Sequence, residues 1–219
     1  MKAKEPKISG KRMGETFAFK KSQKAYLFFK RCLDIFFSFL FIVLLGIVMI
    51  VLAIITKASS KGPALYKQTR IGKKEKLFTM YKFRSMRVGS PSIPPSELSE
   101  EEQEAMVTKW GRFMRKTSLD ELPQLFNIFI GQMSFIGPRP QQDKEHERKC
   151  YDARMSFVPN AFEVKPGLCS LAIVKMHRSH DPMEKARYDS DYVRGMGFGL
   201  DAYLFFASIG IFLGIKRRY

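Results

Sequence analysis

The chain has 219 residues, 27% of them charged, with 38 Lys and Arg against 21 Asp and Glu for a formal net charge of +17. That length holds one domain plus a membrane element. The charge excludes a cationic partner and calls for an anionic one: phospholipid headgroups, nucleotide phosphates or nucleic acid. Cys32, Cys150 and Cys169 are widely spaced with no C-x-x-C pair, which excludes a disulfide framework and a zinc site and reads as reduced thiols.

Residues 1–24 are polar and basic and read as a cytoplasmic tail. They offer neither the short apolar region nor the cleavage site of a signal peptide. Residues 25–56 are the expected membrane anchor. From Leu33 to Ile55 only Asp34 is charged, and as a helix this stretch is about 34 Å long, enough for a hydrocarbon core of about 30 Å. Lys24, Lys30 and Arg31 precede it, and Lys57, Lys61, Lys67 and Arg70 follow it, so both ends compete for the cytoplasmic side. A single spanning helix and a re-entrant helix bent near Gly46 both stay open on these grounds.

Residues 57–219 form the expected cytoplasmic domain. Leu65–Tyr66 and Leu77–Phe83 read as a hairpin turned at Arg70-Ile71-Gly72-Lys73. Lys82, Arg84 and Arg87 follow closely, either as a solvated basic face or as a cradle for a diphosphate or lipid headgroups. After a loop at 88–96, residues 96–116 read as a helix, acidic early and basic late. A second helix is expected from Ser118 to Phe129, a stiff turn over Phe135–Pro140, and helix in the charged stretch 141–157. Residues 158–174 read as strand or loop, and Pro182–Val193 as a helix bearing Asp189 and Asp191. The apolar segment from Leu200 carries Asp201 and ends basic, so it is expected to lie as an interfacial helix.

The stretch from Thr117 to Pro140 concentrates the chemistry. Ser118-Leu119-Asp120-Glu121 fits a capping box, in which Glu121 returns a bond to the backbone of Ser118. A helix start also attracts phosphate. There Asp120 can attack phosphorus and Glu121 can hold magnesium, so cap and function are both open. Arg139 sits between Pro138 and Pro140, which fixes the backbone that presents its guanidinium. His146, His177 and His180 lack a third metal ligand and are expected at the solvent. Gly195-x-Gly197-x-Gly199 has no strand-turn-helix context for a dinucleotide.

Together these pieces resemble the bacterial sugar transferases, the monotopic phosphoglycosyl transferases, over about residues 27–205. The resemblance rests on Arg31-x-x-Asp34, Gln68-x-Arg70-x-Gly72, Tyr81-Lys82-Phe83-Arg84-Ser85-Met86, Arg115-x-x-Ser118-Leu119-Asp120-Glu121-Leu122-Pro123-Gln124-Leu125, Met133–Pro140, Lys165-Pro166-Gly167 and Asp189-x-x-Tyr192-Val193. It implies transfer of a sugar phosphate from a UDP-sugar to polyprenyl phosphate in the inner membrane of a bacterium, on its cytoplasmic face. UMP leaves, and the product starts a glycan that downstream glycosyltransferases extend. By the same resemblance Asp120 is the nucleophile and Glu121 the magnesium ligand. Arg139 holds phosphate, Arg115, Lys82 and Arg84 assist, and Asp189 is a further site carboxylate. The family's anchor is re-entrant. This chain carries Gly46-Ile47 where the family breaks its helix at Ser-Pro, and Leu168-Cys169-Ser170-Leu171 where the family commonly has Ile-Thr-Gly-Trp.

The expected fold is α/β in a loose sense, mostly helical with a small β-hairpin. A non-catalytic basic membrane scaffold explains the charge and the anchor but not Asp120, Glu121 and Arg139. Nucleic acid is not the expected partner, because the basic residues are not interleaved with an aromatic platform.

Overall fold

The computed structural model describes residues 17–90, 101, 105–176 and 181–212. The expectations for residues 1–16, for most of the loop and acidic stretch before Ala105, for His177 and His180 and for the basic end fall outside them. Among the described residues, one helix is long and apolar enough to cross a membrane: α1, Lys21–Ser59. It is continuous through Gly46, since glycine, unlike proline, keeps its backbone N–H in the helix ladder. The tail is shorter than expected. Phe17 and Phe19 meet edge to face and pack on the core.

β1 (Leu65–Ile71) and β2 (Leu77–Phe83) form the expected antiparallel hairpin, with Leu65 opposite Phe83 and Ile71 opposite Leu77. The turn comes later than the sequence suggests. β4 (Gln141–Gln142) pairs with Arg70 and Ile71 and holds them extended, so a 3-10 turn at Lys73–Glu75 reverses the chain. Alternation along β2 sends Phe78 and Met80 into a cluster with Ile128 and Met133. Phe83, on the opposite face, joins Met49, Leu52 and Met114. Each such buried side chain contributes about 2 kcal/mol. Lys82 continues the Phe78–Met80 row at the point where this core ends.

The expected helix over 96–116 is interrupted after Met106: Ala105 and Met106 are helical, and α2 (Lys109–Lys116) begins anew. Val107 instead bridges to Met86, and the Thr108 hydroxyl accepts the Gly111 N–H at 2.8 Å to cap the helix. The expected Ser118–Phe129 helix is split into a 3-10 turn, Leu119–Glu121, and α3 (Gln124–Phe129). Pro123 has no N–H to join the two. Asn127 closes the outer edge of β2: its Oδ1 accepts from Tyr81 N at 3.1 Å and its Nδ2 donates to Thr79 O at 2.7 Å.

β3 (Ser134–Ile136) runs parallel to β5 (Gly167–Cys169). Between them, α4 (Arg148–Met155) is the only α-helix among residues 141–157. The apolar run after Pro166 is part strand and part helix, because Ser170 caps α5 (Leu171–Lys175) by accepting Ile173 N–H at 3.2 Å. α6 (Pro182–Gly195) forms as expected, followed by α7 (Phe198–Phe212).

The domain holds both ends of α1. Gln23 Nε2 donates to the carbonyls of Val193 and Arg194 at the end of α6. Asp34 Oδ1 accepts from Ser134 Oγ and Phe135 N, both at 3.1 Å. At the far end, Trp110 Nε1 donates to Thr56 Oγ1 at 3.1 Å. The side of α1 away from these contacts presents Phe36, Phe39, Val43, Leu44, Ile47 and Ile54. Asp201 is buried on α7, where its carboxylate accepts Tyr26 Oη at 2.7 Å and Tyr192 Oη at 3.0 Å and pairs with Lys30. Asp201→Ala is expected to destabilise the protein by about 3 kcal/mol, because it strands a largely buried ammonium. Denaturant titration of the detergent-solubilised chain measures it.

Candidate active site

The Asp120–Glu121 pair is positioned by an unusual backbone. Ser118 lies in the left-handed region at φ 51°, a conformation that costs a non-glycine residue roughly 1–3 kcal/mol. No capping box forms: the Ser118 side chain caps nothing, and its carbonyl accepts the Glu121 N–H at 3.2 Å. The Glu121 side chain is thereby free to turn inward, where its Oε1 accepts Lys82 Nζ at 3.0 Å and Arg139 Nη2 at 3.3 Å.

Arg139 reaches this point because β3 and β5 come together through glycine. The Gly137 N–H donates to Cys169 O and the Gly167 N–H to Pro138 O, each at 2.9 Å. A Cβ on Gly167 would lie 2.2 Å from Gly137 N, so only glycine permits the approach. The Gly137–Pro140 turn then projects Arg139 over Glu121.

A cleft opens here, lined by Arg70, Lys82, Glu121, Gln124, Arg139 and Leu168 among others. Arg70 donates to Pro140 O at 3.0 Å and to Gln68 Oε1 at 2.6 Å. Burial lowers its guanidinium to about 10, with Glu147 opposing and Arg139 adding to the shift. Gln124 is buried and its Nε2 has no hydrogen-bond partner, an orphan donor suited to a ligand oxygen.

The two carboxylates are driven apart in acidity. Burial raises Glu121, yet Arg139 and Lys82 outweigh it and hold the group at about 2. Burial also raises Asp120, and there it prevails over Lys82 and Arg115, with Glu121 reinforcing it. Burial pulls Lys82 down, against Glu121. Neighbouring acids so divided are the mark of a site that assigns them different tasks.

Of the residues singled out by sequence, Asp120, Glu121, Lys82 and Arg139 come together. Arg115 stands behind Asp120, with its Nε on Ser85 Oγ at 2.9 Å. Arg84 is turned elsewhere: it is buried and donates to Ser60 O and Ser60 Oγ at the end of α1. Asp189 does not reach the cleft. It lies buried against Arg154 at 2.7 Å, and Arg154 Nη2 donates to the Arg139 carbonyl at 3.0 Å. Asp189 thus acts on the site from behind, through the backbone of Arg139. Arg70 and Gln124 were not singled out. Arg70 carried a signal, the Gln68-x-Arg70-x-Gly72 pattern, whereas Gln124 looks in sequence like an ordinary helix residue. Leu168 opens the loop that departs from the family's usual sequence, and it lines the cleft.

A divalent cation such as magnesium takes one or two protein carboxylates and completes its shell with substrate phosphate and water. Both contacts to Glu121 fall on Oε1. Oε2 and the Asp120 carboxylate remain as donors, and the residues fit that mode. Among the described residues no group of three or more His, Cys, Asp or Glu gathers to enclose a metal with protein alone.

Two isosteric changes are expected to act oppositely on stability. Asp189→Asn strands buried Arg154 and destabilises the domain by about 3 kcal/mol. Asp120→Asn removes a carboxylate whose ionisation folding opposes, so at neutral pH it leaves the domain as stable as wild type or more so. That advantage shrinks as the pH falls through the raised pKa of Asp120, where the wild-type carboxyl takes up its proton. Denaturant midpoints at several pH values check both.

A family model described as bacterial sugar transferase matches residues 25–214. The chain is 37% identical over 186 residues to a UDP-glucose:undecaprenyl-phosphate glucose-1-phosphate transferase of Klebsiella pneumoniae, covering 83% of this chain and 39% of that protein. It is 34% identical over 211 residues to an undecaprenyl-phosphate galactose phosphotransferase of Salmonella typhimurium, covering 90% and 43%. It is 33% identical over 187 residues to a UDP-N-acetylgalactosamine-undecaprenyl-phosphate N-acetylgalactosaminephosphotransferase of Aeromonas hydrophila, covering 84% and 43%. The chain therefore spans about two fifths of each relative's length. With the match running from the start of α1 through α7, and with the acidic pair and its cations inside it, the chain belongs to the bacterial sugar transferase family.

Proposed function

We propose that the chain transfers a sugar 1-phosphate from a UDP-sugar to undecaprenyl or another polyprenyl phosphate, releasing UMP and initiating a cell-surface glycan. The observation that carries this reading is the acidic pair: an anionic Glu121 clamped by Lys82 and Arg139, beside a buried Asp120 of raised pKa. The names of the relatives, which act on undecaprenyl phosphate, support the substrate class.

The donor's diphosphate meets Arg139, Arg70 and Lys82, and Gln124 Nε2 donates to one of its oxygens. An Asp120 carboxylate oxygen attacks the phosphorus that bears the sugar. The bond from that phosphorus to the bridging oxygen breaks, and UMP departs with the electron pair. The sugar phosphate stays on Asp120 as an acyl phosphate. An oxygen of polyprenyl phosphate then attacks the same phosphorus, forming the diphosphate linkage and regenerating the Asp120 carboxylate. Magnesium held by Glu121 and Asp120 supplies charge neutralisation on the phosphate oxygens. Leu168 lines the cleft where the chain departs from the family's usual loop, so this loop bears on donor choice.

The lipid acceptor places the reaction at the cytoplasmic face of the bacterial inner membrane. Anchoring of Asp34 and Thr56 to the same domain supports an α1 with both ends on one side of the bilayer, but its helix is unbroken through Gly46, so the re-entrant form rests on the family resemblance.

UMP release measured over a panel of UDP-sugars, with polyprenyl phosphate and magnesium present, tests the reading. One donor is expected to support turnover, and Asp120→Asn to lower it about a thousandfold or more. Radiolabelled sugar phosphate is expected on Asp120 of the trapped wild-type protein. Release from no donor, or full activity in Asp120→Asn, refutes the mechanism. The nucleophile must be ionised, so the acid limb of kcat/KM is expected above the usual carboxylate value of about 3.9. Lys82→Met moves that limb to higher pH, because Lys82 is the strongest charge opposing the effect of burial.

A further inference from the structure

The domain has a second cavity of about 80 Å³, separate from the Glu121 cleft and walled in part by Lys30, Arg31, Asp34, Lys73, Ser134 and Lys165. Its charges do not balance. Lys30 is paired with Asp201, and Asp34 already accepts from Ser134 Oγ and Phe135 N. Arg31 binds only backbone oxygen, donating to Ile128 O at 2.6 Å and Phe129 O at 2.7 Å. Lys165 converges on it: a Cβ on Gly131 would lie 3.0 Å from Arg31 Nη2 and 3.2 Å from Lys165 Nζ. Gly131 itself is at φ 90°, and the close approach of both cations leaves no room for a Cβ there. Burial lowers the Lys165 ammonium, Arg31 and Lys73 lower it further, and Asp34 opposes. Arg31, Lys73 and Lys165 thus face one cavity with a single carboxylate, Asp34, whose two hydrogen bonds both fall on Oδ1, so positive charge is in surplus there. The wall from α1 is continuous with exposed Phe28, Phe29 and Phe36, side chains suited to lipid.

We propose that Arg31, Lys73 and Lys165 form a second anion site, distinct from the Glu121 cleft, which takes the phosphate group of an anionic membrane lipid. A phosphate there supplies the missing negative charge, and its acyl chains lie along the apolar start of α1. The site adjoins the reaction cleft through one short segment: Lys165 lines the cavity, and Gly167 and Leu168 line the cleft.

Amine acylation of individual lysines, read by mass spectrometry on the full chain in lipid nanodiscs, tests this. Three preparations are compared: phosphatidylcholine alone, phosphatidylcholine with phosphatidylglycerol, and phosphatidylcholine alone with added inorganic phosphate. Phosphatidylglycerol is expected to slow acylation of Lys73 and Lys165 about fivefold, and to leave exposed Lys149 unchanged. Lys73→Gln is expected to weaken the protection of Lys165. Protection by inorganic phosphate but not by phosphatidylglycerol keeps the anion site and overturns its lipid source. Equal rates in all three preparations, or the same slowing at Lys149, overturn the proposal. Asp120→Asn is expected to show full protection, so a failed transferase assay and a failed anion site remain distinguishable.

Discussion

The site depends on one carboxylate shared by two cations. Glu121 is the point at which β2, the turn after α2 and the Gly137–Pro140 turn meet, through Lys82 and Arg139. Glu121 is held by a largely buried Lys82 and a half-exposed Arg139, and removing either partner leaves its charge less compensated. The arrangement specifies geometry more than it adds stability. Lys82 and Arg139 together outweigh Glu121 in charge, and Arg70 stands near Glu121 and Arg139. Under the proposed reaction a diphosphate would meet cations already held in place, with little reorganisation on binding.

The anchor follows the same logic. Asp34 and Asp201 look like flaws in apolar segments, yet each joins α1 to the domain. Asp34 takes the hydroxyl and backbone donors at the start of β3, and Asp201 takes Tyr26, Lys30 and Tyr192. β3 leads directly into the turn that carries Arg139. The apolar helix and the turn that carries Arg139 are thus fixed to one short strand.

Sequence patterns were most legible where physics is local. The hairpin follows from alternation and a glycine turn, α6 from its Asp181 cap and Pro182, and α1 from its unbroken apolar run. They failed where a distant partner competes. Val107 leaves the expected helix to pair with Met86. Ser118 is drawn out of its capping role because Glu121 finds a buried lysine and an arginine instead of a backbone N–H. Asp189 and Arg84 are motif residues that lie against Arg154 and against the end of α1, Arg84 with its Nε and Nη1 buried and unpartnered. Nothing local distinguishes such a charge from one that faces substrate.

By itself the sequence determined the chemical inventory: an acidic pair, a proline-framed arginine, a basic surplus and a long apolar anchor. Residue type, composition and short-range spacing suffice for these. Only the tertiary structure decided which cations reach Glu121, that burial raises the pKa of Asp120, that Gln124 carries an orphan donor and that Lys165 and Arg31 line one cavity. Burial and charge separation set those outcomes, and both are relations between segments far apart in the chain.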